Sequence, residues 1–106
     1  MPNLTVYIAT EHMPCAAKLA LLSRDCVELC TRVLQAAPGK VHVMYVGVRP
    51  GYGHPVFVEL LYRIDACRTP AVMQAFMEGL DSAIMRHVGL TARIRCFASE
   101  AIDAFN

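Results

Sequence analysis

Met1-Pro2-Asn3-Leu4-Thr5-Val6-Tyr7-Ile8 opens the chain with an alternating run behind a proline. Leu4, Val6 and Ile8 fall on one face of a strand, and Asn3, Thr5 and Tyr7 on the other. Proline suits a first strand position, where no ladder donor is needed. The same run carries a chemical implication. Methionine aminopeptidase removes an initiator methionine when a small residue such as proline follows, and the strand would then begin with a secondary amine. An α-amino group titrates at about 7.7–8.0, and a cationic or apolar setting lowers that value. Such a nitrogen takes and returns a proton at neutral pH without a histidine.

Working outward, Thr10 to Pro14 is a connection containing Glu11 and His12. Cys15 to Ala37 has the spacing of an amphipathic helix, with Leu19, Leu22, Cys26, Leu29, Cys30 and Val33 on one stripe. Pro38-Gly39 is the expected stop. Lys40 to Arg49 reads as a second strand, with Val41, Val43 and Tyr45 on one face and His42, Met44 and Val46 on the other. Pro50-Gly51-Tyr52-Gly53-His54-Pro55 is turn chemistry joining two strands. Its Gly-Tyr-Gly does not open a helix and is not a phosphate loop. Val56 to Asp65 is the third strand, with Val56, Val58, Leu60, Tyr62 and Ile64 on one face.

Thr69-Pro70 starts the second helix, threonine as N-cap and proline at the first helical position. Met73, Phe76, Met77, Leu80, Ile84 and Val88 form its buried stripe, and Gly89 ends it. Ala92 to Ala98 is the last strand, before a tail from Ser99 to Asn106. The order is β-α-β twice, a pseudo-repeat over residues 1–49 and 55–98 of a single domain spanning residues 1–106. Each crossover helix links two parallel strands. The expected class is therefore α+β: a four-stranded mixed sheet with two helices on one face.

The bulk properties narrow the function. The chain has 106 residues, is 56% hydrophobic and 18% charged, and has a mean hydropathy of +0.39. That is apolar for its size, yet no uncharged run reaches the roughly 18 residues of a membrane span, and no signal segment precedes the first strand. Burial between subunits absorbs the excess, which implies a cytoplasmic homo-oligomer. A net charge of +1 with interspersed signs gives no nucleic-acid footprint. Eight of the ten basic residues are arginine, the side chain suited to bidentate carboxylate binding. Cys15, Cys26, Cys30, Cys67 and Cys96 contain no C-x-x-C pair. Cys26 and Cys30 share a helix face without a partner in register, so they read as buried thiols and no metal site is expected.

Met1-Pro2 with its strand, the doubled β-α-β pattern, and Pro55-Val56-Phe57-Val58-Glu59-Leu60-Leu61 followed by Thr69-Pro70 together resemble the tautomerase superfamily. That superfamily includes 4-oxalocrotonate tautomerase, macrophage migration inhibitory factor and malonate semialdehyde decarboxylase; the last two segments are similar to a small bacterial branch of it. The resemblance implies a homotrimer whose sheets enclose a central barrel, without a cofactor, and with a site near each N-terminal proline at a subunit boundary. It implies Pro2 as the catalytic base or acid on an enol or α-keto acid, and cations that hold a small carboxylate substrate.

By the same resemblance Lys40, after Gly39, matches a lysine of the migration inhibitory factor. His42 stands where 4-oxalocrotonate tautomerase has a strand arginine. Arg63 and Arg68 lie near the place of paired arginines in the decarboxylase, and Arg49-Pro50 resembles its second strand. Two departures are visible: Ile94 and Cys96 stand where the migration inhibitory factor has polar or aromatic site residues, and Glu11 and His12 replace a loop arginine. Two alternatives remain at this level. One is a non-catalytic trimeric binding or structural module of the same fold with Met1 retained. The other is a dimeric ferredoxin-like barrel with an antiparallel strand order.

Overall fold

The alternation behind Pro2 is realised in β1 (Pro2–Ala9), and its even-numbered residues turn inward. Leu4, Val6 and Ile8 are each 1% exposed or less. The computed structural model describes residues 2–100; Met1 and residues 101–106 of the expected tail lie outside it. After β1 come α1 (Ala16–Arg32), β2 (His42–Val48), β3 (Val56–Arg63), α2 (Pro70–His87) and β4 (Ala92–Ser99), with short 3-10 turns at Thr10–His12 and Pro38–Lys40.

The sheet order is β2-β1-β3-β4. Within each half the strands are parallel, β1 to β2 and β3 to β4, and the halves join through an antiparallel β1–β3 ladder. Parallel neighbours inside each half exclude the ferredoxin-like alternative. Both crossover helices supply the same core: Leu22, Cys26 and Cys30 from α1 and Met73, Phe76, Leu80 and Ile84 from α2 meet Leu4, Val6, Ile8, Val56, Val58 and Leu60. Gly79 lets the helices close, since a Cβ there would sit 2.6 Å from Leu29 Cδ2. Asp25 ties them at the surface, accepting from Arg86 at 2.9 Å and sharing a 2.6 Å hydrogen bond with His87.

β2 stops at Val48, one residue before Arg49, and β4 runs on to Ser99; three other boundaries move for local reasons. α1 ends at Arg32 rather than Ala37. Leu34 enters the core, fully buried, and Gln35 takes φ 56° so that the Ala36 N–H reaches the Cys30 carbonyl at 3.0 Å. Pro38 then opens a 3-10 turn instead of stopping the helix, which leaves Lys40 ahead of β2 rather than in it. β3 ends at Arg63, not Asp65. Asp65 Oδ1 accepts the Cys67 N–H at 3.0 Å, a side-chain turn that redirects the chain toward α2.

Among the described residues no helix covers the sheet's other face, the open face. By the strand register it carries Asn3, Thr5 and Tyr7 of β1, Met44 and Val46 of β2, Phe57, Glu59 and Leu61 of β3, and Arg93, Arg95 and Phe97 of β4. Met44, Leu61 and Phe97 are 65%, 45% and 49% exposed, and Tyr7 stacks on Phe57 with centroids 6.0 Å apart. Among the described residues no helix is long and apolar enough to cross a membrane.

Candidate functional site

Pro2 heads a central strand and is fully buried, at the end of the core-facing row Leu4, Val6, Ile8. It pairs with Tyr62 of β3, and its neighbour Asn3 pairs with His42 of β2 and Leu61 of β3. Alternation therefore puts Pro2 and Tyr62 on the helix side of the sheet, and Asn3 and His42 on the open side. α1 returns the chain to the start of β2, so its exit lies at the Pro2 end. The β3–α2 connection lies there too.

Arg68 binds these pieces together. Its Nε donates to the Leu34 carbonyl at 3.0 Å and its Nη1 to the Arg63 carbonyl at 2.7 Å. It thus fastens the exit of α1 to the residue after Tyr62, with the remaining guanidinium donors uncommitted among the described residues. The buried Cys30 thiol senses it. Burial pushes that thiol up to about 11, and the Arg68 charge acts in the opposite sense. Cys26 is pushed up to about 12, chiefly by burial and then by Cys30 and Asp25. Both thiols stay protonated at neutral pH, and no three His, Cys, Asp or Glu residues among those described are grouped to hold a metal ion.

The structure distributes the five candidate cations unevenly. Lys40 closes the turn before β2, two residues ahead of His42, and is at the Pro2 end. His42 and Arg63 are at that end as well but belong to the open face, and both are exposed. Arg68 lies on the helix side. Arg49 is elsewhere: it follows β2 and, with Thr10, Glu11 and Pro50, lines a cavity of about 420 Å³. Seven residues of rise along β1 separate that end from Pro2, about 23 Å at roughly 3.3 Å each. Ile94 and Cys96 of β4 are packed against the core, so the residues that β4 offers to the open face are Arg93, Arg95 and Phe97.

Two features at the Pro2 end escaped sequence reading. Tyr62 sits directly across from Pro2, and the side-chain oxygen of Asn3 is buried without a hydrogen-bond partner among the described residues. Both depend on the β1–β3 register. The only local signal was a hydroxyl-bearing ring ending the apolar row Val56, Val58, Leu60. A second cavity, of about 340 Å³, opens between the helices over Leu29, Val33 and Gly79. Neither cavity touches Pro2.

The fold is shared with solved structures. MIF2 from Leishmania major superposes with a TM-score of 0.80 at 15% identity, over 98% of this chain and 93% of that one. Native fused 4-OT gives 0.80 at 13% identity, over 92% and 87%. Malonate semialdehyde decarboxylase gives 0.70 at 12% identity, over 92% and 84%. No protein-family model and no curated protein sequence matches the chain. The chain has the fold of the tautomerase superfamily. At these identities the likeness is one of fold.

Proposed function

We propose that the protein, acting as one domain over residues 1–106, is a small tautomerase-type isomerase that uses Pro2, freed of Met1, as general base and acid on an enol or α-keto acid. The observation that carries this reading is the placement of Pro2: it heads a central strand, on the helix side, at the end of the sheet where Arg68 and Lys40 gather. A secondary amine there works near its own pKa, which is the condition for efficient general acid–base catalysis. The uncommitted donors of Arg68 and the Lys40 ammonium supply carboxylate binding and stabilise charge developing on an enolate oxygen. Pro2 takes the proton from the carbon beside the carbonyl and returns it to the product.

The site is completed in a homotrimer. Support comes from Met44, Leu61 and Phe97, large apolar side chains exposed on the open face, and from a fused 4-OT neighbour described as a symmetric trimer. Five cysteines without a disulfide agree with a reducing cytoplasm. The test is intact mass of untagged protein together with phenylenolpyruvate ketonisation by wild type and Pro2→Ala. Loss of methionine and loss of turnover in the variant are expected. A mass that keeps methionine, or turnover indifferent to Pro2→Ala, rejects the mechanism.

A second reading, a non-catalytic trimeric module with Met1 in place, draws on the full burial of Pro2. It predicts a trimer by light scattering with no turnover in wild type.

A further inference from the structure

The hydroxyl groups of two tyrosines can be compared directly. Tyr45 of β2 is satisfied, its hydroxyl 2.8 Å from Ser23 Oγ and donating to the Leu19 carbonyl at 3.2 Å. Tyr62 has its ring packed against the core and its hydroxyl without a hydrogen-bond partner among the described residues. The hydroxyl is not among the buried side-chain atoms left without a partner, so it is open to water or to a ligand. Tyr62 lies directly opposite Pro2, on the same face, where the Cβ atoms of paired residues stand about 5 Å apart. The next residue's carbonyl is fastened by Arg68, so the backbone that carries Tyr62 is fixed at its outer end. A pre-positioned donor beside a proton-transferring nitrogen is the arrangement an enolate requires.

We infer that the Tyr62 hydroxyl is the donor that stabilises the enolate oxygen during proton transfer at Pro2. In ketonisation the enol O–H proton leaves to water, and the resulting oxyanion accepts a hydrogen bond from Tyr62, which stays protonated throughout. The Pro2 ammonium gives its proton to carbon: the N–H bond breaks, the C–H bond forms, and the C=C pair becomes that C–H bond as C=O is restored. Pro2 regains a proton from water. The inference rests on Pro2 acting as the acid and base, and assigns Tyr62 as a second catalytic residue.

Tyr62→Phe keeps the ring and removes only the donor. Phenylenolpyruvate ketonisation should show kcat reduced about 100-fold, KM within about twofold, and an unchanged circular dichroism spectrum. Wild-type kcat in Tyr62→Phe, or an effect confined to KM, overturns the assignment; if Pro2→Ala is inactive in the same assay, the Pro2 reading survives that failure. Absence of turnover in wild type sinks both. Should the phenylalanine variant fold poorly, trifluorotyrosine at position 62 acidifies the phenol and must move the alkaline limb of the kcat profile to lower pH. A limb that stays in place refutes the role.

Discussion

The two β-α-β halves end their helices by different rules. In the second half, Thr69 caps α2 by accepting the Val72 N–H at 3.3 Å, Pro70 takes the first helical position, and the exit passes through Gly89 at φ 79°. In the first half, Cys15 provides no side-chain cap and the exit passes through Gln35 at φ 56°. Gln35 is the only non-glycine residue with positive φ among those described. The regular exit of α2 lies at the end of the sheet away from Pro2. The irregular exit of α1 lies beside it, and there Arg68 holds the Leu34 carbonyl. Local rules are most often broken where function needs a geometry they do not supply. Here the irregular exit lies beside the candidate site, to which both halves contribute.

Removing Arg68 should break this comparison most severely. Arg68→Met keeps much of the side-chain volume but removes both bonds and strands the part-buried Leu34 carbonyl, and an acceptor left unsatisfied away from water is expensive. The expected destabilisation is about 2 kcal/mol by urea unfolding. A change within about 0.5 kcal/mol would mean that the exit of α1 holds itself and that Arg68 is free for substrate alone.

The same contrast explains what could be read in advance. Thr69-Pro70 and Gly89 declared α2 because caps and left-handed glycines are local signals, and period-two runs declared the strands. The exit of α1 was misplaced because Val33, Leu34 and Ala36 continue an apolar pattern past the last helical residue, while the turn that diverts them occurs at a glutamine. Pro2 stood out as a chemical oddity at a strand start. Its strand partner Tyr62 did not, since Tyr62 faces it only through strand pairing; Arg68 stood out by its likeness to paired arginines, but not as the fastener of Leu34 and Arg63. Arg49 was grouped with the other cations because Arg49-Pro50 resembles a strand of the decarboxylase, and the sheet separates it by its own length.

The halves are joined by Asp25, and this link should show in the pH dependence of stability. The His87 hydrogen bond, helped by the charges of His87, Arg86 and Arg24, holds the Asp25 carboxyl below its ordinary range against the opposing effect of burial. A lowered folded pKa means the stabilisation is present above the unfolded value of about 3.9 and is lost as pH falls through the folded value. Asp25→Asn should therefore be less stable than wild type by roughly 1 kcal/mol at pH 7, and the two should converge as the pH drops below the carboxylate range. Melting curves that run parallel across that interval would show that the clamp contributes no linked protonation.

The smallest effects sharpen the comparison most, because they should differ in sign. A left-handed conformation costs an L-residue about 1–2 kcal/mol, while glycine adopts it freely at the expense of greater unfolded-state entropy. Gly89→Ala should destabilise by about 1 kcal/mol; no atom lies within 4 Å of a Cβ built there, so backbone conformation alone is tested. Gln35→Gly should stabilise by about 0.5 kcal/mol, the left-handed penalty less the entropy of glycine. If Gln35→Gly gains stability but lowers kcat for phenylenolpyruvate, the glutamine is retained because a stiffer exit of α1 holds Leu34, and through it Arg68, where Pro2 needs them. If it gains stability at unchanged kcat, the strained exit is incidental and the two halves differ only in how well their helix ends are made.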